Sequence, residues 1–442
     1  MINRKISSFG RGVHPSESGK LLTHHRAGQI APLLDRYYVL LSQNVGQAPE
    51  PVVKKGDLVK KYQLIAAATG PVSVDLHAPT SGEVSGIIEI PGPMGTMAKA
   101  VEIISDKQDT AGETLEPIRF WQDTEPEILR NRLKACGLVG MGGASFPTHI
   151  KLNPPPEKPV DTLIINGAEC EPFLTADHRL MLEHPEEILT GSAIMGHILG
   201  VKNIYLGIEV NKSDAIEKLS QYAGSYGITI VPLKVGYPQG GEKQLIYAVT
   251  KRIVASGTLP MDSGCAVQNV GTAFAVYNAV VSGIPLVERL VTVTGDVVRN
   301  PGNWYLKIGT PVLEAVKLSG GVTEEPGQLI LGGPMMGFAQ KSFQVPVSKN
   351  TSGVLLLSSR NLVAYGESPC IRCGRCVQGC PMKLIPCMLG SLIEAERYDL
   401  AEKNHVMDCI ECGACAYVCP AHRPLVQHMR RAKAEIRNAR KS

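Results

Sequence analysis

The sequence predicts a multidomain α/β plus β chain: a parallel α/β unit between two β-rich modules, closed by a cysteine-rich, helix-rich terminal unit. Three observations carry this expectation. Strand-like and helix-like segments alternate from about residue 124, short strands broken by Gly and Pro occupy about 38–105 and 288–345, and nine of the twelve cysteines lie between 370 and 419. At 442 residues the chain is too long for one hydrophobic core, and length alone suggests about three domains.

Residues 1–37 form a polar, irregular N-terminal segment containing "GRGVHPSESGK". In 38–110, "YYVLLSQ", "DLVKKYQLIAAAT", "VSVDLHAPTSGEVSGIIEI" and "KAVEIISD" have the short alternating pattern of a small β domain. The halves "VVKKGDLVKKYQLIA" and "DLHAPTSGEVSGIIE" resemble a biotinyl/lipoyl-type sandwich. The hairpin that would carry a modified lysine has none, reading "VSVDLHAP" over 72–79, so a packing module is expected and not a swinging arm. From 120 to 285, "EPEILRNRLKACGLV", "HPEEILTGSAIMGHILG", "SDAIEKLSQYAGSYG", "GEKQLIYAVTKRIV" and "NVGTAFAVYNAVVSG" have helical spacing. The runs "PVDTLIINGAEC", "NIYLGIEV" and "ITIVPLKV" lie between them as strands, which predicts a parallel sheet. A β-rich module (286–348), the cysteine unit (360–430) and a basic tail (431–442) complete the chain.

The charge balance excludes little. A net charge of +4 is too small to argue for nucleic acid. No basic segment leads into an apolar run as in a secretory signal. The longest apolar stretch, 272–287, is interrupted by Asn278, Ser282, Gly283 and Pro285 and is too short to span a bilayer. A soluble or peripheral protein in a reducing compartment is expected, because clustered cysteines imply metal and not disulfides.

"CIRCGRCVQGCP" (370–381) and "CIECGACAYVCP" (409–420) both read C-x2-C-x2-C-x3-C-P. Two-residue gaps let three thiolates wrap one cubane, and the fourth cysteine, leaving the loop at a proline, serves the other cluster. One 4Fe-4S cluster is therefore assigned Cys370, Cys373, Cys376 and Cys419, the other Cys380, Cys409, Cys412 and Cys415. Gly374 and Gly413 permit the tight wrapping. Zinc is the competing metal, but it favours paired C-x2-C knuckles. Cys387 lies off the pattern on a helical stretch and is expected to be a packed thiol. Clusters move single electrons, so an electron source or sink is expected upstream.

The glycine-rich "GLVGMGGASFPTHIKL" (137–152) would let backbone amides approach a phosphate or flat ring, although it is neither a Walker loop nor G-x-G-x-x-G. "NGAECEPF" then places Glu169 and Glu171 beside it, which suits hydrogen bonds to ribityl or ribose hydroxyls. Together these stretches resemble the FMN- and NADH-binding subunit of respiratory complex I. With "FGRGVHP", "YPQGGEKQL" (237–245), "TVTGDVVRNPG" and the paired cysteine runs, the order of parts is similar to the RnfC family, the C components of the Rnf complex, a membrane-bound ferredoxin:NAD oxidoreductase.

The resemblance implies a Rossmann-like flavin domain, a biotinyl/lipoyl-like sandwich, a β-grasp ligand-binding-like module and a helix-rich two-cluster ferredoxin domain. It implies FMN in the loop of Gly140, Gly142, Gly143 and Ala144. It places Phe146 at the flavin–nicotinamide site, Lys151 near the flavin, and Asn166 and Glu169 as flavin hydrogen-bonders. Glu171 would lie on the nicotinamide side, Glu242 matches an acid of the relative, and Asn269 and Thr272 would hold the flavin phosphate. Hydride would pass between NAD(H) and FMN, and single electrons through the two clusters, with no catalytic side chain acting as nucleophile or base. Implied partners are integral membrane and ferredoxin-like subunits, and the implied location is the cytoplasmic face of the bacterial inner membrane. Three departures bear on the NADH site: Ala168 and Gly241 replace acids, and "LNPPP" (152–156) lacks an aromatic. A non-catalytic electron-relay scaffold and a cobalamin reductase of bacterial microcompartments are the alternatives. The basic tail reads as a solvated helix, or as a docking element for an acidic partner or anionic lipid.

Overall fold

A computed structural model describes residues 6–362 and 368–440; the parts of the expected terminal segments and cysteine unit at 1–5, 363–367 and 441–442 lie outside the described residues. At its centre is a four-stranded parallel sheet ordered Ile228–Leu233, Asn203–Glu209, Thr162–Gly167, Cys265–Asn269. Leu163, Ile165, Leu206 and Ile208 of its strands are fully buried against Ile188, Ile194 and Met195 of helix Pro185–Leu199 and Val276 of helix Val270–Val281. These two helices approach so closely that a Cβ on Gly191 would stand 1.9 Å from the Ala273 carbonyl oxygen, so only glycine fits there. The strand Cys265–Asn269, absent from the sequence expectation, lies on the far side of Thr162–Gly167 from Asn203–Glu209. Strand order therefore reverses at Thr162–Gly167. In such sheets the crevice beyond the carboxyl ends at the reversal is where ligands bind.

The front β domain is two facing sheets, Arg36–Leu40 with Met97–Ser105, Gly82–Pro91 and Leu58–Val59, and Glu50–Pro51 with Leu64–Ala67 and Leu76–His77. Val39, Ile65, Leu76, Val84, Val101 and Ile103 fill the space between them. Its lysine-free hairpin is packed inward: Ser73 and Val74 are fully buried, and Val74 joins the core of the central domain.

The third module is a six-stranded mixed sheet in the order Gly28–Ile30, Gly302–Lys307, Glu288–Thr294, Gly353–Leu357, Gln328–Leu331, Phe338–Gln340, backed by helix Val312–Leu318. It differs from expectation at both ends. Gly353–Leu357 lies beyond 348 yet is fully buried between two strands of the sheet, and the N-terminal segment, read as irregular, contributes Gly28–Ile30 parallel to Gly302–Lys307.

The cysteine unit is helical, with Pro386–Glu394, Tyr398–Lys403 and Leu425–Ala439 packed through Leu389, Ile393, Ala401, Met429, Ala432 and Ile436. Residues 431–439 of the basic tail continue that last helix. Arg430 and Lys433 pair with Glu411, Arg431 with Glu396, and Arg440 with Glu402, so these charges are met within the chain. Among the described residues no helix is long and apolar enough to cross a membrane.

Candidate functional site

The two cysteine runs fold into the same local turn. Arg372 and Glu411 take positive φ (57° and 56°), as do Gly374 and Gly413 (74° and 82°). This turns the amides of Arg372 and Glu411 back to donate to Cys370 Sγ and Cys409 Sγ, each at 3.4 Å. Short helices Arg375–Gly379 and Ala414–Tyr417 then carry Cys376 and Cys415 inward. Two cavities result, one walled by Cys370, Cys373, Cys376 and Cys419, the other by Cys380, Cys409, Cys412 and Cys415. In each, three cysteines come from one run and the fourth from the Cys-Pro end of the other. The second cavity is otherwise apolar, with Pro381, Leu384, Leu389 and Met429 in its wall. Burial, followed by the neighbouring Cys409 and Cys380, pushes the Cys412 thiol up to about 12. A buried all-sulfur quartet of this kind requires a cationic core to exist as thiolates, and sulfur donors with amide N–H groups turned toward them suit a cubane.

The glycine loop sits at the sheet's reversal point. Its neck is closed by the Gly140 amide donating to the Phe146 carbonyl (2.9 Å), and the Met141 amide donates to Thr272 Oγ1 (3.0 Å). Gly142, Gly143, Ala144 and Phe146 are exposed along its rim. A Cβ on Gly142 would stand 2.9 Å from the Asn269 side chain, whereas one on Gly143 would meet nothing within 4 Å. Ser145, at φ 56°, is buried with its hydroxyl unpartnered. Asn269 caps helix Val270–Val281 by accepting from the Gly271 amide (2.8 Å), so the positive end of that helix faces the loop. Open backbone above Gly143, an orphaned hydroxyl and a helix N-terminus fit a phosphorylated, flat-ringed ligand such as FMN.

Both carboxylates of the loop are engaged by backbone amides. Glu169, itself at positive φ (44°), accepts through both oxygens from the amides of Asp177 (2.7 Å) and His178 (3.1 Å), capping helix Ala176–Glu183. Both of its oxygens are thus engaged by amides of that helix. Glu171 accepts from the amides of Met335 (3.1 Å) and Met336 (2.8 Å), which belong to the six-stranded module. Burial nevertheless pushes its carboxyl up to about 7. Asn166 donates to the Gly240 carbonyl and accepts from the Ala168 amide, and Lys151 pairs with Glu242 at 2.6 Å. Ala168 is fully buried with its Cβ side toward Gly240, so there is no open space at this position for an acid.

Three residues escaped the sequence expectation. Asp177 accepts from Asn269 Nδ2 (2.7 Å), and burial beside Glu169 pushes its carboxyl up to about 7. Lys20, from the N-terminal segment, donates to the carbonyls of Glu169 (2.8 Å), Glu171 (2.9 Å) and Leu174 (2.6 Å), and Lys212 donates to that of Ala168 (2.7 Å). Two buried ammonium groups thus pin the whole acidic loop. Lys20 lies in a segment read only as polar and irregular, and no local signal there marks it.

Crevice and cavities are joined through Tyr237. Its buried hydroxyl donates to the Cys412 carbonyl (2.6 Å) and lies 3.4 Å from Glu171 Oε1. Val13, Ala414 and Met335 pack around it. The cavity of Cys380, Cys409, Cys412 and Cys415 therefore abuts the flavin-type domain, whereas the other opens outward, with Cys373 exposed.

Family models match along the chain: the RnfC barrel sandwich hybrid domain over 7–108, the Nuo51 FMN-binding domain over 133–278, the SLBB domain over 290–339 and the 4Fe-4S dicluster domain over 362–432. The C subunit of the proton-translocating ferredoxin:NAD(+) oxidoreductase complex of Clostridium ljungdahlii is 44% identical over 98% of this chain and 95% of its own. The C subunit of the Na(+)-translocating counterpart of Acetobacterium woodii is 40% identical over 98% of both chains. The C subunit of the ion-translocating oxidoreductase complex of Rhodobacter capsulatus is 44% identical over 97% of this chain and 83% of its own. Among solved structures, an NAD+-reducing [NiFe]-hydrogenase in the H2-reduced state shares the fold at TM-score 0.51 and 18% identity, over 74% of this chain and 68% of that one. By near-full-length identity and by the order of its four domains, the chain belongs to the RnfC family, the C subunits of ion-translocating ferredoxin:NAD(+) oxidoreductase complexes.

Proposed function

We propose that this chain is the NAD(H)-facing electron-transfer subunit of such a complex, holding FMN in the glycine loop and one 4Fe-4S cluster in each thiol cavity. When bound, FMN supplies exchange between two-electron hydride chemistry and one-electron transfer, which cubanes cannot supply alone. The chain's own contribution is to orient and insulate. Gly142, Gly143 and Ala144 offer amides above the sheet's reversal point, and Asn269 and Thr272 fix the loop against the positive end of helix Val270–Val281. Lys20 and Lys212 hold the acidic loop, so Glu169 acts through the helix it caps. Glu171 is the carboxyl nearest the junction and can hold its proton near neutral pH.

The observation that carries the proposal is the Tyr237 contact, which sets the cavity of Cys380, Cys409, Cys412 and Cys415 against the flavin crevice. That cluster would be the near relay station and the Cys370 cluster the far one. The outer loop, with Ile371 66% exposed and Arg372 and Arg375 beside the exposed Cys373, would face a ferredoxin-like partner. Integral membrane subunits would hold the chain at the cytoplasmic face, with ion movement occurring in them.

The test is anaerobic reconstitution of the full chain with FMN, iron and sulfide, followed by NADH addition. Flavin bleaching and reduction of both clusters are expected. In C412A, bleaching should persist while reduction of the far cluster fails. Zinc in place of iron and sulfide, or full NADH reactivity without flavin, would overturn the proposal. A non-catalytic relay is favoured by one observation, the engagement of both loop carboxylates by the chain's own amides. That reading requires clusters that load but never respond to NADH.

A further inference from the structure

The two thiol cavities obey an internal repeat of 39 positions, which relates Cys370, Cys373 and Cys376 to Cys409, Cys412 and Cys415. The same offset relates the remaining walls: Pro381 to Pro420, Met382 to Ala421, Leu384 to Arg423 and Pro386 to Leu425. It also relates Cys387 to Val426. Each of these two residues lies in the wall of the cavity formed by its own cysteine triplet, Val426 with Cys415 and Cys387 with Cys376. Where one cavity has a valine, the other has a fifth thiol.

We propose that Cys387 is an alternate ligand of the outer cluster, able to take the iron otherwise bound by Cys376. This rests on the cluster assignment above. Cys387, expected to be a packed thiol, does pack, but in the lining with Cys370, Cys373, Cys376 and Cys419. Pro386 sets the first turn of helix Pro386–Glu394, and Cys387 follows it, so a rigid element holds its position. Cys387 packs against the small cluster that contains Cys376, whose thiol it meets, and is only partly buried. In the exchange the Cys387 thiol gives its proton to solvent as its sulfur bonds iron. The Cys376–iron bond breaks and the released thiolate takes up a proton in turn, or in a Cys376 variant that bond was never made, and no electron is gained or lost. The inner cavity, with Val426 at this place, has no such reserve.

The experiment compares full-length C376A, C376A/C387A, C387A and C415A, purified anaerobically, by iron and acid-labile sulfide content and by EPR of the dithionite-reduced state. C387A should hold both clusters. C376A should also keep close to the full complement, with altered g-values for one cluster, whereas C376A/C387A and C415A should each lose about half the iron. Cys387 should react with iodoacetamide in the native wild-type protein and be protected in C376A. If C376A, and the sterically closer C376S, lose as much iron as C415A, or do not fold, the proposal is overturned. Wild-type protein without iron and sulfide would instead sink the cluster assignment itself.

Discussion

Replacing Lys349 by methionine should remove a pH dependence of stability above neutrality. Lys349 is 1% exposed at the meeting point of three domains. Its ammonium donates to the carbonyls of Gly137 (2.6 Å), at the neck of the glycine loop, and Asp75 (3.2 Å), in the front β domain. Its amide donates to Gln43, and its carbonyl accepts from Arg289 of the six-stranded module. Burial pulls its pKa from 10.5 down to about 7. The unfolded chain keeps this proton up to 10.5 while the folded chain releases it near 7, so folding sheds a proton between those values. Stability must therefore rise with pH across that window, by at most ~1.4 kcal/mol per pH unit. The full window amounts to an upper bound of about 5 kcal/mol, and the charged form is the costly one below pH 7. In K349M that slope disappears. Leaving two carbonyls unpaired costs roughly 1–3 kcal/mol each, but this offset does not vary with pH. Thermal denaturation of both proteins should be followed under anaerobic conditions between pH 6 and 9.5. The melting temperature of the wild type relative to K349M should climb by about 1.5 °C per unit above pH 7. Parallel curves would refute a buried, proton-releasing lysine.

Two further outcomes test the crevice and its junction. G142A forces a Cβ to within 2.9 Å of Asn269, so it should lower both stability, by about 1–3 kcal/mol, and flavin retention. G143A, with nothing within 4 Å, should fold normally yet bind FMN more weakly in a fluorescence titration, because its methyl occupies ligand space. Y237F deletes the 2.6 Å bond to Cys412. It should keep its iron, lose about 1–3 kcal/mol, and slow NADH-driven reduction of the clusters in stopped-flow traces, without changing flavin bleaching.

What was legible from sequence was what local spacing encodes. The C-x2-C-x2-C-x3-C-P runs specify their turn and their partner exchange within a few residues, and the alternation of 162–167, 185–199, 203–209 and 213–222 announces a parallel sheet. Three-residue Gly28–Ile30 carries too little pattern to be read as a strand. "CAVQN" (265–269) is buried along its whole length and therefore lacks the alternation that marks a half-exposed strand. Proximity to the glycine loop suggested a ligand contact for Glu169, but no local signal showed that the carboxylate also meets the amides of the helix that follows. Ties such as Lys20 to Leu174 and Lys349 to Gly137 join residues 154 and 212 positions apart, and no local signal announces them.

The Lys20 pin bears on how the protein can be dissected. A fragment cut at the start of the α/β unit would leave three carbonyls of the acidic loop facing an empty slot, and that loop would be free to rearrange whether or not flavin were present. The smallest faithful piece of the NAD(H)-facing half must carry its leader with it. The opening residues, remote in sequence from every cofactor, belong to the redox centre as surely as the glycines do.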